Sequence, residues 1–238
     1  MTPAEGAAVR LSPARRRVVT GGVMLGLFLG ALEGTVVGTA MPTLVASLGG
    51  LAHYSWVFSA YMLAATATTP LWGGLSDLYG RRRVYLASLT LFLVGSALAG
   101  AARSMPELIA CRALQGLGAG GLLPLGMTVV GEIYTLAERA RVQALFSGVW
   151  GVASVAGPLV GGYLTERLSW RWVFYLNLPF GAAAAAVLGL ALVEPPRPRL
   201  GRVDWAGALL LAAGLAAFLF ALSGPAGSRW PWLAAAGA

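Results

Sequence analysis

The sequence predicts an all-α membrane protein: a six-helix bundle built as an inverted three-plus-three repeat, followed by a seventh transmembrane helix. Composition is the first reason. Of the 238 residues 58% are hydrophobic and 11% charged, and the mean hydropathy is +0.74, far from the balance of a soluble domain. The second is the presence of seven apolar windows, each long enough for the roughly 20 helical residues that cross a hydrocarbon core. The third is an internal echo. "PLWGG" from Pro70 recurs as "PLVGG" from Pro158, followed by the acidic Asp77 and Glu166, and Glu33 and Pro42 are spaced like Gln115 and Pro124. The offsets are 88 and 82 residues, which places three spans between the copies, so each copy runs the opposite way through the membrane.

Residues 1–17 form a basic segment, and the bundle occupies 18–193 with spans at 18–45, 54–76, 84–103, 107–130, 142–164 and 171–193. Span one is too long for a secretory signal and carries Glu33 where small residues would mark a cleavage site, so it stays in the mature chain. A charge near the centre of a span costs at least about 2.5–3.5 kcal/mol on insertion scales, so Glu33 is expected to face protein or a watery cavity. Gly22, Gly26, Gly30, Gly34 and Gly38 recur at i+4 and predict a smooth ridge for close helix approach.

Between spans two and three, "GGLSDLYGRRR" supplies a carboxylate, a turn glycine and three arginines. Span four places Arg112 and Gln115 on one face. A buried guanidinium stays charged and controls the hydration and ionisation of its surroundings. "GLGAGG", Gly116 to Gly121, matches a dinucleotide fingerprint formally, but that motif needs a strand before it, and this copy lies inside a span. In span five, Ser147, Gly151, Ser154, Pro158 and Gly161 make one small-residue stripe, with a proline that lets the helix bend. Residues 194–204 read as a cytoplasmic linker and 205–223 as the seventh helix.

The chain has no lysine, so arginine carries the whole positive charge. An N-terminus inside puts twelve arginines on the cytoplasmic side, against Arg103, Arg167, Arg171 and Arg229 outside. This positive-inside bias explains the basic pI of 10.5 and removes the need for a nucleic-acid partner. The lone Cys111 excludes a disulfide framework, and the lone His53 has no second ligand nearby for a metal. A P-loop, an HExxH pair and a nucleophile elbow are all absent from the sequence.

These motifs resemble the major facilitator superfamily, and specifically its fourteen-span drug:proton antiporters. "GGLSDLYGRRR" is similar to the superfamily's loop motif through Gly73, Leu75, Asp77, Gly80, Arg81 and Arg82. "LIACRALQGLGAG" resembles its fourth-span motif through Leu108, Arg112, Gln115, Gly116, Gly118 and Ala119. "AGPLVGG" resembles the antiporter motif through Gly157, Pro158, Gly161 and Gly162, with Ala153 where a further glycine is usual. "LEGTVVGTAMP" is similar to the first-span motif of the fourteen-span group, with Glu33 for the more usual aspartate; "SWRWVFYLNLP" and "VDWAGALLL" also resemble that group.

The resemblance implies a multidrug exporter of amphiphilic small molecules, of the kind that gives bacteria antibiotic resistance, in the inner cell membrane with its N-terminus in the cytoplasm. The proton gradient supplies the energy, no cofactor is needed, and the partners are the substrate, protons and the bilayer. Glu33 is the expected proton or cation site in the cavity, with Arg112 as electrostatic partner and Gln115 beside it. Asp77 with Arg81 forms the gate, and Gly157 with Pro158 the antiport seam. Members run to about twice this length, so 224–238 is expected to be the truncated start of a further span, and the chain an N-terminal part whose missing second bundle is replaced, in isolation, by self-association. Export of lipids or peptides is the alternative within transport. A heptahelical receptor fits the span count, but the absence of lysine removes the attachment point used by retinal proteins, and no catalytic cluster supports a membrane enzyme.

Overall fold

The computed structural model describes residues 11–194 and seven helical positions, 206, 207, 210, 213, 214, 217 and 218. Helices α1 (Pro13–Leu48), α2 (Trp56–Tyr79), α3 (Arg81–Ala101), α4 (Met105–Ile133) and α5 (Leu136–Arg167) follow one another, and the one-turn α6 (Trp172–Tyr175) leads into α7 (Asn177–Ala191). Helices therefore cover the first six expected windows, the sixth broken at Leu176. Apart from those seven positions, the seventh span at 205–223 lies outside the described residues. So do 1–10, most of the linker and 224–238.

Local chemistry sets the helix ends. Ser12 accepts from the Arg15 amide ahead of Pro13, and Gly49 ends α1 at φ +70°. Ser104 caps α4 through the Glu107 amide, and Thr135 with Glu138 forms a capping box on α5. Gly80, at φ +93°, breaks the path between α2 and α3 in a conformation that a side chain would strain.

By length and composition, α1, α3, α4, α5 and the α6–α7 unit are long and apolar enough to cross a membrane. The 24-residue α2 is diluted by Thr66, Thr68, Thr69, Gly73, Gly74 and Asp77. Its hydroxyls are nonetheless satisfied internally, as lipid requires: Thr68 donates to the Ala64 carbonyl at 2.8 Å and Thr69 to the Gly120 carbonyl at 3.0 Å. The second bond has a specific use. Pro124 cannot donate to Gly120, and the threonine takes the place of the missing amide.

Packing follows the repeat. Helix α4 lies chiefly against α2 and α3, and α1 lies chiefly against α5 and α7. Exchanging the first three spans for the second three maps one set of neighbours onto the other, as an inverted repeat demands. Pro42, Pro70, Pro124 and Pro158 interrupt α1, α2, α4 and α5, whereas α3 has no interior proline. The apolar core forms two clusters. One, around Tyr85, Phe92 and Leu125, lies toward the arginine-rich end; the other, around Met41, Leu108 and Phe174, lies toward the opposite end.

The glycines of "GLGAGG" serve two-sided packing. A Cβ on Gly116 or Gly120 would collide with the α2 backbone at Tyr61 and Ala65, and one on Gly118 with the α3 backbone at Phe92. Gly118→Val is accordingly expected to lower the unfolding free energy in detergent by about 2–3 kcal/mol, the cost of overpacking a close contact. Gly34→Ala, at an exposed position with nothing within 4 Å, should stay within about 1 kcal/mol of the parent. Equal denaturation midpoints for the two variants would refute this account.

The expected ridge on α1 holds only in part. Gly22 meets Val187 and Leu188 of α7 and Gly26 meets Tyr85, but Gly30, Gly34 and Gly38 face open space. The reason is rotational drift: at 100° per residue, an i+4 series turns by 40° at each step and leaves the packed face.

Candidate functional site

A layer of polar side chains separates the two apolar clusters. Glu33 on α1 is 2% exposed and Arg112 on α4 is 1% exposed. Arg112 Nη1 donates to Glu33 Oε1 in a buried ion pair and to Gln115 Oε1 at 2.7 Å, and Nε donates to the Val57 carbonyl of α2 at 3.1 Å. Glu33 Oε2 accepts from Asn177 Nδ2 of α7 at 2.6 Å. That amide also donates to Ser96 Oγ at 2.9 Å, and the serine donates to the Phe174 carbonyl at 2.8 Å, beside the α6–α7 break. The guanidinium carbon stands 4.2 Å from the Tyr61 ring centre and 5.8 Å from that of Phe174. Six helices, α1, α2, α3, α4, α6 and α7, thus contribute to holding one charge pair. Burial of both ions would cost several kcal/mol each without such a shell of partners.

Gln115 keeps one donor in reserve, because its Nε2 is buried without a partner among the described residues. The structure brings the three predicted cavity residues together, but behind the cavity wall. The cavity itself, about 680 Å³, opens between α1, α2, α4 and α5 and is lined by Gly30, Tyr61, Met62, Thr66, Pro124 and Trp150 among others. Glu33, Arg112 and Gln115 are absent from that lining. Tyr61 borders the cavity and also carries Arg112 on its ring.

At the arginine-rich end, Arg81 is the hub of the loop motif. Its Nη1 lies 2.5 Å from Asp77 Oδ1, its Nε 3.0 Å from Glu132 Oε1, and it also donates to Ser76 Oγ. Ser76 donates in turn to the Gly73 carbonyl at 2.8 Å. Asp77 remains 69% exposed. The N-terminus of α3 is capped by Glu194, whose Oε1 accepts from the Arg82 amide at 2.5 Å while its carboxylate packs on Gly80. Arg82 therefore contributes its backbone to this contact.

The Gly157, Pro158, Gly161 and Gly162 motif divides over two faces of α5. Gly157 and Gly161 admit Thr35 and Thr39 of α1, and Thr35 donates to the Ala153 carbonyl at 3.2 Å. Pro158 is exposed and Gly162 has nothing within 4 Å. The stripe of Ser147, Gly151, Ser154 and Pro158 likewise stays exposed.

Sequence reasoning missed five contributors: Asn177, Ser96, Tyr61, Glu132 and Glu194. Asn177 and Glu132 offered the most signal, as a buried-span amide and a carboxylate at a span end.

The family model described as Major Facilitator Superfamily matches residues 23–236. Multidrug resistance protein 3 of Bacillus subtilis (strain 168) is 39% identical over 219 residues, covering 92% of this chain and 43% of the relative. The efflux pump FUS6 of Gibberella moniliformis is 37% identical over 225 residues, covering 92% and 40%. Among solved structures, the human organic anion transporter MFSD10 (TETRAN) superposes with a TM-score of 0.66 at 25% identity, covering 93% of this chain and 59% of that one. The chain spans about two fifths of the length of the curated relatives it matches. They come from a bacterium and a fungus, so the match alone does not fix a bacterial source.

Proposed function

The chain belongs to the major facilitator superfamily, and from that premise we propose that these residues form the first half of a proton-coupled exporter of amphiphilic small molecules. The carrying observation is an apolar cavity of about 680 Å³ whose wall, at Tyr61, rests on a buried Glu33–Arg112 ion pair. A cavity lined by flexible and aromatic side chains such as Met62, Met127 and Trp150 suits varied apolar ligands. A switchable ion pair behind it suits coupling to proton entry, because one proton on Glu33 removes the attraction that holds Arg112. The names of the relatives, a multidrug resistance protein and an efflux pump, support the export direction.

In this scheme the arginine-rich end faces the cytoplasm of a multi-pass protein in the cell membrane, following the positive-inside bias. Arg81 with Asp77 and Glu132 is the gate, and the exposed face of α5 with Pro158 is the seam for a second bundle. Energy comes from the proton gradient, without a cofactor.

Tetraphenylphosphonium binding to the purified chain tests the cavity. Saturable binding is expected, and Thr66→Trp, which intrudes on the lining without breaking an interhelical bond, should weaken it by about tenfold or more, the loss of roughly 1.4 kcal/mol. Leu190→Trp, on the 82% exposed side of α7, should not. Binding that is absent, or that ignores Thr66→Trp, would refute the assignment.

A further inference from the structure

A second cavity, about 610 Å³, opens between α1 and α5 and is lined by Gly21, Met24, Phe28, Leu145, Gly148 and Val152 among others. It lies on the outside of the bundle. Trp150 borders the large cavity whereas Val152 borders this groove, and two residues on a helix are 200° apart. The groove therefore opens away from the large cavity, on a face of α5 that borders the exposed stripe of Ser147, Gly151 and Ser154 at Ala144 and Gly148, and its apolar lining suits the acyl chains of a bilayer.

Its mouth is charged. Arg17 precedes Gly21 by four residues and Phe28 by eleven, and Arg141 precedes Leu145 by four and Val152 by eleven. Those spacings are 40° and 20° on the helical wheel, so each arginine crowns the same stripe whose apolar residues line the groove. Both arginines are exposed. The two helices are joined at this level, because Arg16 pairs with Glu138 at 2.8 Å. Glu138 is the acidic residue in the first turns of these helices, and it is already committed to Arg16 and Thr135. Arg139 is likewise occupied, with the carbonyls of Tyr134 and Gly131. Arg17 donates Nε to the Pro13 carbonyl of its own helix at 3.4 Å, a contact that leaves its charge unneutralised, so with Arg141 it supplies surplus positive charge above an apolar slot. From Arg17 to Phe28 the helix rises about 16 Å, roughly the depth of one leaflet in a core about 30 Å thick.

We propose that this groove is a binding site for an anionic phospholipid of the leaflet at the arginine-rich end, with one acyl chain lying along α1 and α5 and the phosphate bridging Arg17 and Arg141. A soluble anion has no use for the apolar slot, and a zwitterionic headgroup leaves the surplus charge uncompensated.

Native mass spectrometry of the purified chain, titrated with phosphatidylglycerol or phosphatidylcholine of identical acyl chains, tests the site. The chain is expected to retain phosphatidylglycerol preferentially. Arg17→Gln and Arg141→Gln should each weaken that lipid about fivefold and together about twenty-fivefold, with little effect on phosphatidylcholine. Gly148→Trp fills the groove and should reduce retention of both lipids; if it fails to accumulate, Gly148→Leu takes its place. The arginine variants alter exposed side chains, and unchanged helix content and elution would exclude misfolding as their effect. Equal retention of the two lipids by the parent chain would overturn the proposal. So would a phosphatidylglycerol preference that survives the double arginine variant, or one abolished instead by Arg82→Gln with Arg83→Gln.

Discussion

Arg112→Met is expected to destabilise the bundle by about 3–5 kcal/mol, the cost of leaving a buried carboxylate without its counter-ion. Methionine approximates the length of the arginine stem, so lost charge and lost hydrogen bonds dominate over lost volume. Glu33 would then depend on Asn177 alone, while the Val57 carbonyl and Gln115 Oε1 would each lose a donor. Adding Glu33→Gln to Arg112→Met removes the stranded charge and should recover much of the loss, a coupling that a double-mutant cycle reads directly. Thermal or denaturant midpoints of the four proteins in one detergent supply the measurement. A parent-like midpoint for Arg112→Met, or a double variant no better than that single one, would mean that the pair does not hold these helices together.

The second large effect concerns coupling. In a transporter that carries these residues as its first half, Glu33→Gln should bring gradient-driven movement of a lipophilic cation in liposomes down to the level of protein-free vesicles, while binding of the same cation persists. Glutamine keeps the shape and an acceptor for Arg112, and the guanidinium retains Val57, Gln115 and the Tyr61 ring, so the variant should fold. It cannot take up a proton. Persistence of full gradient-driven transport would remove Glu33 from the coupling step and leave it a structural ion.

Glu33 and Arg112 were legible in the sequence because charges inside spans are expensive and stand out against apolar neighbours. The pairing of Asp77 with Arg81 was expected from the resemblance of the loop to a family motif rather than from the residues alone, and the two side chains do meet. The remaining ligands of the pair were not. A backbone carbonyl such as that of Val57 has no residue identity to read, and Ser96 looks like any small residue in a span. Asn177 sits in a run, "FYLNLP", whose break from α6 to α7 depends on tertiary contacts. Tyr61 was hidden for another reason: its position on the cavity wall is fixed by the close approach of α2 to Gly116, which periodicity along α2 cannot reveal. The large cavity excluded Glu33 because the polar layer closes on itself, and helical-wheel angles give a direction from the axis but no distance.

The four helices that border the large cavity are the four interrupted by proline, whereas α3 is a continuous ladder of hydrogen bonds over 21 residues. Bending stiffness is therefore unevenly shared. A load applied where Arg81 joins α2, α3 and α4 meets a stiff rod in α3 and jointed rods in its neighbours, so deformation collects in the cavity walls and spares the outer stave. At the joint in α4 a threonine hydroxyl already bridges the gap at Gly120, and a hydroxyl on a rotating side chain can follow its acceptor through a small change of curvature. The α4 wall can consequently flex through a range of shapes without leaving its Gly120 carbonyl bare in hydrocarbon, and compliance becomes a property of where the imino acids fall along the chain.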